Sequence, residues 1–188
     1  MWYTARVIIT ARSFGADCVI PSGEHDLLLF VWNHILKAFE RYGINVVRSK
    51  MYVGDWTVLT NQSVVIDTKQ GLSEVYSNLV RDHERFRTEC INAKSAGIRL
   101  IVLVEETGIK TLDDVPDWVN PRSIIYERQV AQGTSKQKAP PVSSKRLYNI
   151  MRTMSELYGC EWSFCDKEHK IAFAIMREVE IIKATGRK

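Results

Sequence analysis

Asp67 and Lys69 stand two positions apart in the segment VVIDTKQ, and Asp55 lies twelve residues earlier in the chain. Side chains at positions i and i+2 of a strand point to the same face of a sheet, so Asp67 and Lys69 are predicted to project together. The stretch YVGDWTVLTNQSVVIDTKQ, residues 52–70, is typical of a hairpin that turns at Asn61 and brings Asp55 beside them. Carboxylate oxygens are the ligands that a hard divalent cation such as Mg²⁺ prefers. The pattern therefore predicts a magnesium site that hydrolyses phosphodiester bonds.

Each of these residues has a predicted part in that chemistry. Asp55 and Asp67 are predicted to bind the cation, with the backbone carbonyl of Thr68 as a further ligand. Lys69 is predicted to orient the attacking water and to stabilise the charge that develops on the phosphate. The alternative is an exposed hairpin with a surface Asp-Lys pair, which would contribute little to stability. An acid two positions before a lysine arises about once or twice by chance in such a chain, and residues 168–170, EHK, are a second case.

The bulk composition predicts a single domain over residues 1–188. Hydrophobic residues make up 45% of the chain and charged residues 26%, which is enough to bury a core without disulfides. The formal net charge of +4 leans weakly toward an acidic partner such as nucleic acid. The longest apolar run, residues 27–32, is too short to cross a bilayer, and the N-terminus lacks the layout of a signal peptide. Four cysteines without a CxxC pair fit a reducing compartment, so the protein is predicted to be cytoplasmic and without a membrane partner.

The elements that would position the hairpin alternate between strand and helix. Strands are predicted at residues 5–9, 44–47, 52–59, 63–69, 98–104 and 160–165. Helices are predicted at residues 26–42, 73–96 with a break near Asp82, 147–157 and 171–179. The run IRLIVLV, residues 98–104, is typical of a strand covered on both faces, so we expect an α/β fold with helices on both sides of a sheet. Prolines and the tract GTSKQKAPPVSSK predict a mobile basic loop over about 106–143.

Several segments resemble, in order, the nuclease core of the XPF family of structure-specific endonucleases. They are RSKMYVGDWTV, VVIDTKQGLSEVYSNL, RDHERFRTEC, GIRLIVLVE and the C-terminal stretch YNIMRTMSELYGCEWSFCDKEHKIAFAIMREV. The Asp-Thr-Lys form is most similar to the versions found in phages. The resemblance implies the restriction-endonuclease-like fold of the PD-(D/E)XK superfamily, a three-layer α/β/α arrangement with a central mixed sheet. It also implies dependence on Mg²⁺ or Mn²⁺ and cleavage of branched or flapped DNA, in recombination, replication or repair in a bacterial or phage-infected host cell.

Carried over by position, the resemblance makes Asp55 and Asp67 the metal-binding acids and Lys69 the catalytic lysine. Arg85 and Glu89 match the basic and polar positions of the following helix. The chain departs from the family at the first turn, where Thr10-Ala11-Arg12-Ser13 replaces an Asp-x-Arg-Glu motif, and after the lysine, where Ser73 replaces an acid and Glu74 stands next to it. Glu24, near the start of the first predicted helix, is the candidate for a replacement metal ligand.

The resemblance also implies a DNA partner, contacted through phosphates with little regard to sequence, and a homodimer. The candidate DNA-binding residues are Arg12, Arg81, Arg85 and Arg87. Because the turn acids are missing, a catalytically weak or inactive pseudonuclease that binds DNA or a protein partner is the alternative. A third interpretation is a protein-interaction module that uses the 106–143 loop as its arm.

Overall fold

The computed structural model describes residues 7–12, 15–19, 35–42, 44–48, 51–59, 61–137, 139–167 and 171–179. Within these residues, seven strands form one mixed sheet in the order β2-β3-β1-β4-β5-β6-β7. The strands are β1 Val7–Arg12, β2 Gly15–Val19, β3 Ile44–Arg48, β4 Trp56–Val58, β5 Asn61–Lys69, β6 Arg99–Glu105 and β7 Glu161–Cys165. Strand β5 is antiparallel to β4 and parallel to β6, and β6 is parallel to β7. The predicted mixed sheet is confirmed.

Helices cover both faces of the sheet. One face packs against α2 Leu72–Val80, α3 His83–Ser95, the 3₁₀ helix η1 Leu112–Asp117 and α5 Ser144–Tyr158. The other packs against α1, described over residues 35–41, and α6 Ile171–Glu178. The predicted break near Asp82 is confirmed, because it separates α2 from α3. The three-layer arrangement is therefore confirmed, and none of the described helices is long and apolar enough to span a membrane.

The side-chain alternation of β5 and β6 explains how two cores form. Leu100 and Val102 of β6 contribute to the core under α2, α3 and α5, whereas Ile101 and Leu103 contribute to the core under α1 and α6. All four are almost fully buried, which is why the sequence of β6 is a continuous apolar run. In β5, Val65 faces the first core, so Asp67 and Lys69, two and four residues later, face the same side.

Two strands differ from the predicted pattern. β2 occupies a stretch in which no strand is predicted; it pairs with the neighbouring β1 as an antiparallel hairpin and with the more distant β3 in parallel. β4 covers only Trp56–Val58. It begins later than predicted because Gly54, with a φ of 63°, interrupts the extended backbone just before Asp55. The hairpin of β4 and β5 nevertheless forms, with Trp56 opposite Ile66.

The prediction of an irregular loop over about 106–143 is wrong for much of its length. The segment contains η1 and a further helix, α4 Pro121–Ala131. Pro121 occupies the first turn of α4, where its missing N–H costs no hydrogen bond, and the Asn120 side chain caps that helix by accepting from Arg122 N. Val115 of η1 is fully buried in the core. The predicted mobility of the segment stays a prediction.

Candidate active site

Strand β5 places Asp67 and Lys69 side by side beneath α2 and α3. Both residues are buried, with only 4% and 7% of their surfaces exposed. Lys69 Nζ lies 2.6 Å from Asp67 Oδ2, in an ion pair rather than a well-directed hydrogen bond. The predicted projection to one face is confirmed. The alternative of an exposed surface pair is wrong, because the sheet face that carries them is covered by helices.

Asp55 joins these two residues from the end of the loop before β4. Its backbone N donates to Ile66 O at 2.7 Å, and its Oδ2 accepts from Thr68 N at 2.9 Å and Thr68 Oγ1 at 2.8 Å. Gly54 makes this approach possible, since a Cβ at its position would lie 2.2 Å from Val65 Cγ1 and 3.0 Å from Ile66 O. The Gly-Asp sequence is thus a geometric requirement for bringing the Asp55 carboxylate against β5.

The charged groups of the cluster shift one another's pKa values. Solvent reaches part of Asp55, but its carboxylate is enclosed by protein atoms, and this burial raises its pKa to about 7, with a further increase from the nearby charge of Asp67. Lys69 and the hydrogen bonds from Thr68 oppose that shift. Burial alone would lower the pKa of Lys69, but Asp67 and Asp55 outweigh it and the pKa is raised. Lys69 therefore stays a cation and is suited to stabilise negative charge rather than to act as a base.

Helix α3 supports both sides of the cluster. The Phe86 ring lies beneath Lys69, with Nζ 5.9 Å from the ring centroid. Glu89 Oε1 accepts a hydrogen bond from Gly54 N at 2.8 Å and so holds the loop that carries Asp55. Residue chemistry alone did not indicate a role for Phe86, and Glu89 was singled out only through the family resemblance.

The start of α2, directly after Lys69, is fixed by a distant acid that sequence reasoning missed. Glu106 Oε2, from the end of β6, accepts from Leu72 N at 2.9 Å, and its Oε1 pairs with Lys167 Nζ at 3.0 Å. A carboxylate at a helix N-terminus satisfies a free N–H and interacts favourably with the helix dipole. Glu74, the acid next to the position where the family has one, accepts from Gln70 N at 2.8 Å.

The residues present fit a hard divalent cation held by few protein ligands. Asp67 Oδ2 is buried and contacts Lys69 Nζ at 2.6 Å, so a cation bound by the Asp67 carboxylate would lie beside the ammonium group. Mg²⁺ is commonly bound by one or two carboxylates together with waters and substrate phosphate, which Asp55 and Asp67 can supply. In the described part of the chain, no group of three or more His, Cys, Asp or Glu side chains converges on such a site. Glu24 lies outside the described residues.

The predicted DNA-binding arginines are distributed around the start of α3. Arg81 is exposed at the end of α2. Arg85 is exposed on α3, and its guanidinium donates to Asn78 Oδ1 at 3.1 Å. Arg87 is half-buried and lies 3.6 Å from Glu84. Arg12 ends β1, and its side chain is outside the described part of the structure.

A comparison with solved structures finds XPF from Aeropyrum pernix, with a TM-score of 0.50 and 13% sequence identity. The match covers 94% of this chain but 66% of that chain, so this chain spans slightly less than two thirds of the length of the structure it matches. No protein-family model matches the chain, and no curated protein matches it. At this level of identity the likeness shows the fold, and the chain accordingly has the restriction-endonuclease-like α/β fold in an XPF-like form.

Proposed function

We propose that the protein is a metal-dependent endonuclease that hydrolyses phosphodiester bonds in branched or flapped DNA. The observation that carries the proposal is the burial of Asp67 and Lys69, with Asp55 beside them, on a sheet of this fold. Buried charges are costly to a protein, and clusters with shifted pKa values concentrate at functional sites. The identity of these three residues also matches the catalytic set that the sequence resemblance implies.

In the proposed mechanism, Asp55 and Asp67 hold Mg²⁺ or Mn²⁺, and the Thr68 carbonyl is a candidate for a further ligand. When bound, such a cation polarises the scissile phosphate and lowers the pKa of a coordinated water. Lys69, fixed by Asp67 and by the ring of Phe86, donates hydrogen bonds to the phosphate oxygens as their negative charge increases. Glu89 keeps Asp55 in place through Gly54 N.

The test is cleavage of labelled flap, fork, four-way junction and plain duplex DNA with Mg²⁺, Mn²⁺ or EDTA. Asp67→Ala and Lys69→Ala are each expected to lower the cleavage rate at least about 100-fold, the usual effect of removing one stabilising group. The matched control is Glu161→Ala, which breaks an exposed cross-strand ion pair with Arg99 and should leave cleavage unchanged. Cleavage that persists in Asp67→Ala or in EDTA would contradict the proposal.

The second candidate function is a pseudonuclease that binds DNA without cutting it. It is favoured by the lack of acids in the sequence Thr10–Ser13, whose first three residues end β1, and by the absence, among the described residues, of a third converging acid or histidine. A folded wild-type protein that binds branched DNA but cuts none of the substrates with either metal would support it.

The homodimer and the phage or mobile-element setting rest on the resemblance, and we propose them on that basis. Sedimentation of the protein alone and with DNA would test the dimer. A monomer at all concentrations, with DNA present, would contradict it.

A further inference from the structure

A pocket of about 400 Å³ lies between α2, α4 and residues 137 and 139–142. We call it the α2–α4 pocket. The polar and aromatic side chains that line it are Tyr76, Arg81, Arg122, Tyr126, Gln129 and Gln137. No carboxylate lines it among the residues that the structure describes. The pocket therefore offers positive charge, amide groups and aromatic rings together.

The floor of the pocket is held in place by buried groups. Arg122 lies over the ring of Tyr76, with 5.2 Å from its Cζ to the ring centroid, and donates to Ser77 Oγ at 3.0 Å. The Tyr76 hydroxyl accepts from Val142 N at 3.1 Å, and Asn120 Nδ2 donates to Val142 O at 3.2 Å. Tyr76 and Asn120 are 5% and 4% exposed. The guanidinium plane is thus presented by a rigid support, and little ordering is needed when a ligand binds.

Neither arginine of the pocket is neutralised by an acid. Arg81 is exposed, and among the described residues neither Arg81 nor Arg122 forms a salt bridge. Unpaired guanidinium groups bind phosphates, and their flat faces stack on aromatic systems. The nearby apolar surface of Ile125, which is 53% exposed, extends the pocket. Phosphate-binding cations beside stacking surfaces are the combination with which proteins hold single-stranded nucleic acid without sequence preference.

Helix α2 links Lys69 of the candidate active site to Arg81 of the pocket. Helix α2 begins three residues after Lys69 and ends at Val80, next to Arg81. Nine helical residues span about 14 Å, which corresponds to about four nucleotides of a stacked strand. We propose that the α2–α4 pocket binds the single-stranded arm of a branched DNA substrate, with Arg81 and Arg122 contacting phosphate and base. This inference rests on the proposed function.

The test is fluorescence anisotropy of a labelled fifteen-residue oligothymidylate, measured in EDTA so that no cleavage occurs. Arg81→Ala and Arg122→Ala are each expected to weaken binding by about five- to tenfold. Each should also reduce the slope of log K against log salt by about 0.7, the value for one lost phosphate contact on a single strand. Arg152→Ala is the matched control, because Arg152 is an exposed arginine on α5 paired with Glu156. Affinities and salt slopes equal to those of the control would overturn the proposal.

Oligonucleotide binding by a conservative variant, Arg122→Lys, separates a binding role of Arg122 from effects on folding or catalysis. Arg122→Lys retains the charge but loses the planar stacking group, so it should weaken binding to the oligonucleotide while leaving the salt slope near the wild-type value. An unchanged affinity in Arg122→Lys would contradict the stacking role. Loss of cleavage in Asp67→Ala, together with weaker oligonucleotide binding in Arg81→Ala and Arg122→Ala, supports both proposals. Metal-dependent cleavage, with oligonucleotide affinity unchanged in Arg81→Ala and Arg122→Ala, would contradict the pocket proposal alone. Oligonucleotide binding that depends on these two arginines, in a protein that cuts no substrate, would contradict the nuclease proposal alone.

Discussion

At the scale of single residues, Asp55, Asp67 and Lys69 form a largely buried cluster of charges. Asp67 pairs directly with Lys69, and burial together with the charge of Asp67 raises the Asp55 pKa to about 7. A cation bound beside the two carboxylates would relieve their mutual repulsion.

The Asp55 shift predicts how stability depends on pH. An acid whose folded pKa exceeds its unfolded value of 3.8 binds more protons in the folded state between about pH 4 and 7. Wild-type stability should therefore decrease as pH rises through this window, relative to Asp55→Asn, and level off above it. Urea unfolding of both proteins at pH 4.5, 6 and 8 measures the difference, and parallel profiles would contradict the assignment.

Metal affinity should also depend on the protonation of Asp55, but it should increase with pH where stability decreases. Asp55 must release its proton to bind a cation, so Mn²⁺ affinity measured by calorimetry should rise by up to about tenfold per pH unit below pH 7 and then level off. Asp67→Asn removes the neighbouring charge that raises the Asp55 pKa, which should move the plateau to lower pH while lowering the maximum affinity. A pH-independent affinity in the wild type would show that Asp55 is not a ligand.

At the scale of elements, the loop before β4 and the start of α2 are each held by a carboxylate from a distant part of the chain. Glu89 on α3 holds Gly54, and Glu106 after β6 holds Leu72. Both contacts place a carboxylate on a backbone N–H beside the candidate active site. Helix packing and strand order thus determine where the side chains of the candidate active site lie.

Gly54→Ala should cost roughly 3 kcal/mol or more, since it combines a left-handed φ with a backbone and side-chain clash. Gly97→Ala is the matched control. Its φ is +67° but no atom lies within 4 Å of the added Cβ, so only the conformational cost of about 1–2 kcal/mol applies. Chemical denaturation of both variants measures the difference, and equal costs would argue against a close approach at Gly54.

Glu106→Ala should destabilise the protein by about 1 kcal/mol, because Leu72 N loses its acceptor at the start of α2. Glu156→Ala, which removes an exposed i,i+4 pair with Arg152, should cost no more than about 0.5 kcal/mol. Thermal unfolding of the two variants compares these values, and a Glu106 variant as stable as the control would contradict the capping role.

At the scale of the whole molecule, the segment 106–143 packs against the core of the domain and is not a separate arm. η1 inserts Val115 into the core, and Asn120 ties residue 142 to the start of α4. An arm for protein partners would leave the rest of the fold independent of this segment. The packing instead makes it part of the structure that supports α2 and α5.

Val115→Ala should therefore cost about 2 kcal/mol, as a cavity in a packed core does. Val119→Ala, in the same segment but 68% exposed, should change stability by less than about 0.5 kcal/mol. The midpoints of guanidinium chloride unfolding measure the stability of the two variants. Equal, small effects would restore the interpretation of an independent arm.

The sequence predicted the parts of the fold that local pattern determines. The apolar run of β6, the helical periodicities and the i, i+2 geometry of Asp67 and Lys69 follow from one stretch of chain each. The contacts of Glu89 and Glu106 could not be predicted, because they join residues about 35 positions apart in sequence. Strand β2 could not be predicted from its own residues, because its glycine, alanine and aspartate have low strand propensity and its pairing with β3 joins distant segments. The 106–143 segment was misjudged because its prolines occur inside or at the start of helices as well as in loops.

The parallel pairing of β5, β6 and β7 has a consequence for when the candidate site forms. Asp67 of β5 is in register with Val102 of β6, and Val102 is in register with Trp162 of β7. The partners of these two pairs are 35 and 60 residues apart in sequence. Such distant pairings form late, and a chain emerging from the ribosome cannot make them until the later strands exist. A chain stopped before residue 161 has both hairpin acids and the lysine, yet lacks the strand that completes the sheet behind them. The burial that tunes these charges is thus completed only after β7 has been synthesised.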